Sequence, residues 1–152
     1  MADVVSKEVR SRMMSGIRGK DTKPELIVRK ALHRAGFRFR LHDSKLPGKP
    51  DLVLSKYKVA IFVHGCFWHG HDCHLFRLPS TRTEFWQKKI ASNVERDRLV
   101  TNALVNSGWR IATVWECALK GKARLAGDMV VQHLISWLRS GEPELEVRGE
   151  AI

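Results

Sequence analysis

The chain has 152 residues, 43% hydrophobic and 28% charged, with 27 Lys and Arg against 16 Asp and Glu and a net charge of +11. That size and composition fit one globular domain over 1–152 and exclude disorder. The charge points to a polyanionic partner, nucleic acid first. There is no apolar run of the roughly 18 residues a bilayer needs, and Met1–Lys20 lacks the apolar core of a signal peptide, so no membrane is expected and the location expected is the cytoplasm.

In chain order, Val5, Val9, Met13 and Ile17 repeat every four positions among Lys7, Arg10, Arg12 and Arg18, predicting a basic amphipathic helix over 4–19. Thr22-Lys-Pro-Glu25 is a capping box opening a helix that stops at Gly36. Alternation over 37–42 predicts a half-buried strand, and Leu46-Pro-Gly-Lys-Pro50 a turn. The runs 51–54 and 59–63 read as a hairpin whose second strand is buried on both faces. An irregular loop over 64–83 leads to a helix over 84–106 that Asn106-Ser-Gly108 ends. A strand over 109–115 and an amphipathic helix over 124–139 follow, and 140–152 reads as a loose polar tail. Trp109, Trp115 and Trp137 are assigned to the core. The expected architecture is α/β, a small mixed sheet with helices on both sides.

The loop reads His64-Gly-Cys66-Phe-Trp-His69-Gly-His71-Asp-Cys73-His74. Zinc takes thiolate and imidazole ligands in a tetrahedron, and structural sites use four from the protein. Cys66, His71 and Cys73 form a tight local set. Cys117, just past the strand over 109–115, can close it and uses up the third cysteine. Spacing alone leaves His69 and His74 as alternatives to His71. A metal would also fix a loop too long to order itself.

Asp51 opens one strand of the hairpin and can face the end of the next, where a hard cation can be held through oxygen. The bland reading is a turn carboxylate satisfied by backbone N–H groups. Asp97 lies on the helix stripe of Trp86, Ile90, Val94, Thr101 and Leu104, where a carboxylate needs a partner, and His69 is the candidate. Glu25 flanks a buried helix face, though a plain capping acid explains it equally. His64 and His69 titrate near neutrality and suit proton transfer. Phe67 and Trp68, in a rigid cationic loop, and Trp86 are candidate wedges between base pairs.

Phe62-Val-His-Gly-Cys-Phe-Trp-His69 with His71-x-Cys73 resembles the very short patch repair (Vsr) DNA mismatch endonucleases. So do Leu46-Pro-Gly-x-Pro-Asp51, Thr81-Arg-Thr-Glu-Phe-Trp86, Asn93-Val-Glu-Arg-Asp97 and Gly108-Trp-Arg with Val114-Trp-Glu-Cys117. The likeness runs over roughly 1–138. It implies a type II restriction endonuclease-like fold of the PD-(D/E)xK class. It also implies a magnesium-dependent nick 5′ to the T of a T:G mismatch left by deamination of 5-methylcytosine. On the matching positions it implies an active site of Glu25, Asp51, His64, His69 and Asp97, with Mg²⁺ on Asp51 and the Val63 main chain. The zinc ligands it implies are Cys66, His71, Cys73 and Cys117, and the wedge Phe67, Trp68 and Trp86. The N-terminal segment, through Met14 and Ile17, approaches the opposite groove. Phe62 and His64 stand where the general class has an acid and a lysine, as they do in the Vsr branch, and Val63 replaces a Thr of one well-known member.

A monomer acting at the nucleoid on mismatched double-stranded DNA is expected, functionally linked to a cytosine-5 methyltransferase and to mismatch-repair proteins. The rival expectations are a zinc-stabilised DNA-binding module without catalysis and a nuclease of the same fold with another DNA target.

Overall fold

A computed structural model of the chain describes residues 22–150; the helix expected over 4–19, with Met14 and Ile17, lies outside them. Helix α1 spans Lys23–Arg34. Thr22 is extended, its Oγ1 accepts the Glu25 N–H at 3.4 Å, and Pro24 occupies the first turn, where a missing N–H costs nothing. Gly36 ends the helix at φ +99, a conformation that a Cβ disfavours.

Strand β1 is only Arg40–Leu41, shorter than the alternation over 37–42 predicted. Phe37 donates its N–H back to Leu32 O at 3.0 Å and buries its ring, so it closes α1 instead of joining a ladder. The predicted hairpin is present as β2 (Leu52–Leu54) and β3 (Val59–His64). Helix α2 spans Thr83–Asn106, β4 Arg110–Trp115 and α3 Met129–Leu138. The last helix begins five residues later than expected, after a loop that bends at Gly121 and Gly127, both at positive φ.

The tail expected to be loose instead carries a strand, β5 (Glu144–Val147), paired with Ile111–Val114 of β4. Its polar composition hid it: Glu144 and Glu146 face outward and Val147 is buried. The strand covers an edge of β4 that would otherwise expose unpaired backbone.

The five strands lie in sequence order. β1, β2 and β3 are antiparallel neighbours, and β3, β4 and β5 run parallel. Crossovers through α2 and α3 make the parallel half possible. Period-two alternation on β3 splits the core. Val59 and Ile61 pack with Val28 and Leu32 of α1 and Val130 and Leu134 of α3. Ala60 and Phe62 pack with Leu104 of α2 on the opposite face. His64 continues the Phe62 face, toward α2.

Trp137 is buried as expected, whereas Trp109 is only partly covered, with Lys58 Nζ 4.8 Å over its ring. Among the described residues no helix is long and apolar enough to cross a membrane.

Candidate active site

Parallel β3 and β4 end side by side, His64 opposite Trp115. The space beyond the carboxyl ends of parallel strands is where open α/β sheets place their ligands. The cysteine- and histidine-rich loop leaves β3 there, and three clusters of polar side chains gather around it.

The first cluster is Cys66, His71, Cys73 and Cys117, with ligand atoms all within 4.8 Å of one another. His71 Nδ1 lies 3.6 Å from Cys117 Sγ. Bond lengths of about 2.3 Å to sulfur and 2.0 Å to nitrogen at a tetrahedral angle give an edge of roughly 3.5 Å. Burial pushes the Cys66 and Cys117 thiols up from their ordinary range and the His71 imidazole down. A soft cation fits that donor set, since it takes a neutral imidazole and replaces the thiol protons. His71 stacks on Trp115 with centroids 3.9 Å apart, so Trp115 backs this cluster and is not the core residue the sequence reading made it. The alternatives lie elsewhere: His69 faces Asp97, and the His74 ring lies against Gly121.

The second cluster is His64, His69 and Asp97. The two imidazoles stack with centroids 3.7 Å apart and planes 5° from parallel. His69 Nδ1 is 2.6 Å from Asp97 Oδ2, the pairing anticipated for a carboxylate on that helix face. The packed stripe runs through Ile90, Asn93 and Asp97, while Val94 is exposed. Burial pushes the His64 imidazole down to about 3, and the neighbouring His69 adds to the effect, so His64 is neutral at ordinary pH.

The third cluster joins Glu25 of α1, His42 after β1, and Asp51 before β2. Asp51 Oδ2 accepts the Val63 N–H at 2.7 Å, which ties the start of one hairpin strand to the end of the other. Burial raises the Asp51 carboxyl to about 6, against the pull of the Val63 hydrogen bond and with a push from Glu25. A buried acid next to another acid, in a cleft, is a place where a cation would be welcome. Glu25 is 2% exposed, and its Oε2 accepts from His42 Nε2 at 2.6 Å and Arg29 Nη1 at 3.2 Å. Its carboxylate therefore faces the third cluster, which the simple capping role does not describe.

Glu25, Asp51, His64, His69 and Asp97 all line one cleft of about 990 Å³. Phe67, Trp68 and Trp86 form its aromatic wall, in edge-on contact at centroid distances of 5.2, 5.5 and 5.8 Å. Lys49, Lys89 and Arg96 on the rim supply positive charge toward a phosphate backbone. A second cavity of about 240 Å³, between Thr101 and Glu146, holds none of these groups.

The family model described as DNA mismatch endonuclease Vsr matches residues 2–75. The DNA mismatch endonuclease Vsr of Escherichia coli (strain K12) is 47% identical over 138 residues, which span 91% of this chain and 88% of that one. The type II nicking enzyme V.NmeAIP of Neisseria meningitidis is 48% identical over 81% of this chain and 88% of its own length. The type II nicking enzyme V.XorIIP of Xanthomonas oryzae is 48% identical over 78% and 88%. The chain belongs to the Vsr family of DNA mismatch endonucleases. It is a DNA endonuclease, and the reading as a binding module without catalysis is set aside.

Several residues that shape this Vsr site escaped the sequence reading. His42 reads in sequence only as the end of a strand; its place opposite Asp51 comes from the pairing of β1 with β2. Glu116 Oε1 accepts the Cys66 N–H at 3.2 Å, and Asn93 Nδ2 donates to Trp68 O at 2.9 Å, so both pin the loop. Arg148 and Gly149, in the supposed tail, reach the thiol cluster: Gly149 donates its N–H to Cys117 Sγ at 3.3 Å, and Arg148 binds Asp72 at 2.8 Å. No local pattern marks these two.

Proposed function

We propose that this endonuclease makes a magnesium-dependent nick in one strand, 5′ to the T of a T:G mismatch that deamination of 5-methylcytosine has left, as the first step of very short patch repair. The convergence of two carboxylates, Glu25 and Asp51, with the stacked His64–His69 pair in one aromatic-walled cleft carries this reading.

Asp51, with Glu25 beside it and the Val63 main chain next to it, would hold Mg²⁺. The cation supplies positive charge to a phosphoryl oxygen and to the oxygen that departs. His69, with Nδ1–H donated to Asp97, presents Nε2 to take the proton of the attacking water. His64, kept neutral by burial, holds that ring in parallel contact. Phe67, Trp68 and Trp86 wedge into the duplex beside the mismatch, where unstacking is cheapest.

Zinc on Cys66, His71, Cys73 and Cys117 is structural in this reading, since four protein ligands leave no open position. The five-stranded mixed sheet agrees with a restriction endonuclease-like fold of the PD-(D/E)xK class. We take the chain as one domain acting as a monomer, suited to an asymmetric lesion. Its setting is the bacterial cytoplasm and nucleoid, alongside a cytosine-5 methyltransferase and mismatch-repair proteins.

The test is one assay on labelled duplexes carrying T:G, each other mismatch, or full pairing, with and without Mg²⁺. Nicking confined to T:G and to Mg²⁺ is expected. Equal nicking of paired duplex would favour a nuclease of the same fold with another target.

A further inference from the structure

The Glu25 carboxylate is almost fully buried, yet it sits against a second carboxylate in a cleft that must receive phosphate. Two like charges so placed repel. Left to itself, a glutamate with three side-chain torsions would swing away from Asp51. His42 stands where it prevents this. Its backbone is fixed to the Asp51 main chain, donating an N–H to Asp51 O at 3.1 Å as the β1–β2 ladder ends. Its φ of +48 turns the residue out of the strand direction, in the left-handed region that His tolerates better than most residues. The ring is 12% exposed, and Nε2 meets Glu25 Oε2 at 2.6 Å, a bond across 17 residues of sequence. Any residue could make the backbone bond. Only a side chain with a donor at that reach can make the second.

We propose that His42 is a positioning residue for the catalytic cation: it clamps the Glu25 carboxylate to the Asp51 segment, so that both acids converge on one ion. This rests on the cation pocket proposed above. Arg29 Nη1 reaches the same oxygen at 3.2 Å, so Glu25 Oε2 is gripped from its own helix and from the sheet. The grip from the sheet ties Glu25 to Asp51, because His42 and Asp51 are register neighbours, whereas Arg29 moves with α1. Groups of this kind, which bind a ligand's carboxylate and not the ion, alter metal affinity by about 10–100-fold when removed.

Mn²⁺ serves as the probe, titrated into zinc-loaded protein and followed by its electron spin resonance signal, with no DNA present. His42→Ala should weaken Mn²⁺ binding about tenfold or more. His42→Gln, whose side-chain amide donates at similar reach, should recover most of that loss. The concentration of Mg²⁺ for half-maximal nicking should rise in parallel in His42→Ala, while the rate at saturating Mg²⁺ changes far less. Unchanged Mn²⁺ affinity in His42→Ala overturns the proposal. So does a His42→Gln variant as weak as His42→Ala, because the loss would then come from packing. Asp51→Asn separates the two levels: if it binds Mn²⁺ as well as the parent protein, the pocket itself is misplaced, whatever His42 does.

Discussion

The thiol cluster and the carboxylate–imidazole cleft of this endonuclease meet at one loop but are built on opposite principles. The thiol cluster is closed: Cys66, His71 and Cys117 are buried, and Trp115 backs the imidazole. The carboxylate–imidazole cluster is open along a cleft of about 990 Å³, where burial and the nearby Glu25 push the Asp51 carboxyl up while Glu25 and Asp97 pair with His42 and His69. Only the open centre keeps room for a reacting phosphate. The closed one keeps His64, Phe67, Trp68 and His69 where the open one needs them.

Breaking the closed centre should have the largest effect. A structural zinc contributes on the order of 10 kcal/mol of binding free energy to the fold that forms it. Chelation, or Cys117→Ser, should therefore release the loop and abolish nicking together. Melting temperature, metal content and nicking are expected to fall in step. A variant that lost its metal and kept its melting temperature would show that the loop is ordered by its hydrogen bonds alone.

Breaking the open centre should separate what the closed centre couples. Asp51→Asn is expected to lower nicking by about a thousandfold or more, the scale on which a charge-stabilising catalytic group acts, with the zinc content unchanged. It should also stabilise the cation-free protein. Raising the acid from its ordinary 3.8 to about 6 means that below about pH 4 the carboxyl is protonated in folded and unfolded chains alike. Between about 4 and 6 the unfolded chain releases a proton that the folded one keeps, so this contribution to stability falls as pH rises. Above about 6 the loss is complete, roughly 3 kcal/mol at most.

His64 has the opposite slope. Its imidazole stays neutral in the fold down to about 3 but protonates in the unfolded chain below 6.5, so its contribution falls as pH drops through that range. The two slopes oppose each other over about pH 4–6, and a melting curve of the parent protein alone would look flat there. The difference between Asp51→Asn and the parent should instead grow from near zero at pH 4 to its full size above pH 6. A difference independent of pH would mean that Asp51 is not a strained acid.

The same contrast explains which parts of the molecule were legible in the sequence. The thiol cluster was legible as a cluster because cysteine and histidine are chemically rare and crowd into one loop, with Cys117 able to close it from a distance; the choice of His71 over His69 and His74 came from the family resemblance and not from spacing. Asp97 was readable because an acid on a packed helix stripe demands a partner. Strands β2 and β3 announced themselves through apolar runs. By contrast β5 is half glutamate, and it is a strand only because β4 offers an edge. β1 lost its first residues because Phe37 closes a helix. His42 was hidden because its meaning lies in pairing opposite Asp51, and Arg148 and Gly149 because theirs depends on where the chain returns after α3. Residues whose role is intrinsic to their chemistry were visible; residues whose role is conferred by register or return path were not.

Gly149 gives the smallest and most pointed test of that last class. Its N–H reaches Cys117 Sγ, and the next residue, Glu150, donates to Ala123 O at 2.8 Å, so the chain after β5 is drawn down onto the thiol cluster as a strap. A Cβ at position 149 would lie 2.5 Å from Cys117 O and 2.6 Å from Ala123 O, both backbone atoms that cannot swing aside. Gly149→Ala should therefore lift the strap without touching any ligand. The hydrogen bond to the Cys117 sulfur is lost, and, if the cluster holds zinc as proposed, metal affinity is expected to fall about tenfold, at the low end of such outer contacts. Competition with a chromophoric chelator measures this directly. Arg148→Ala, which loosens the strap at Asp72 but leaves the Gly149 N–H in place, should give a smaller shift. Were Arg148→Ala the more damaging of the two, the strap would act through the Asp72 ion pair, and the bond to sulfur would be incidental.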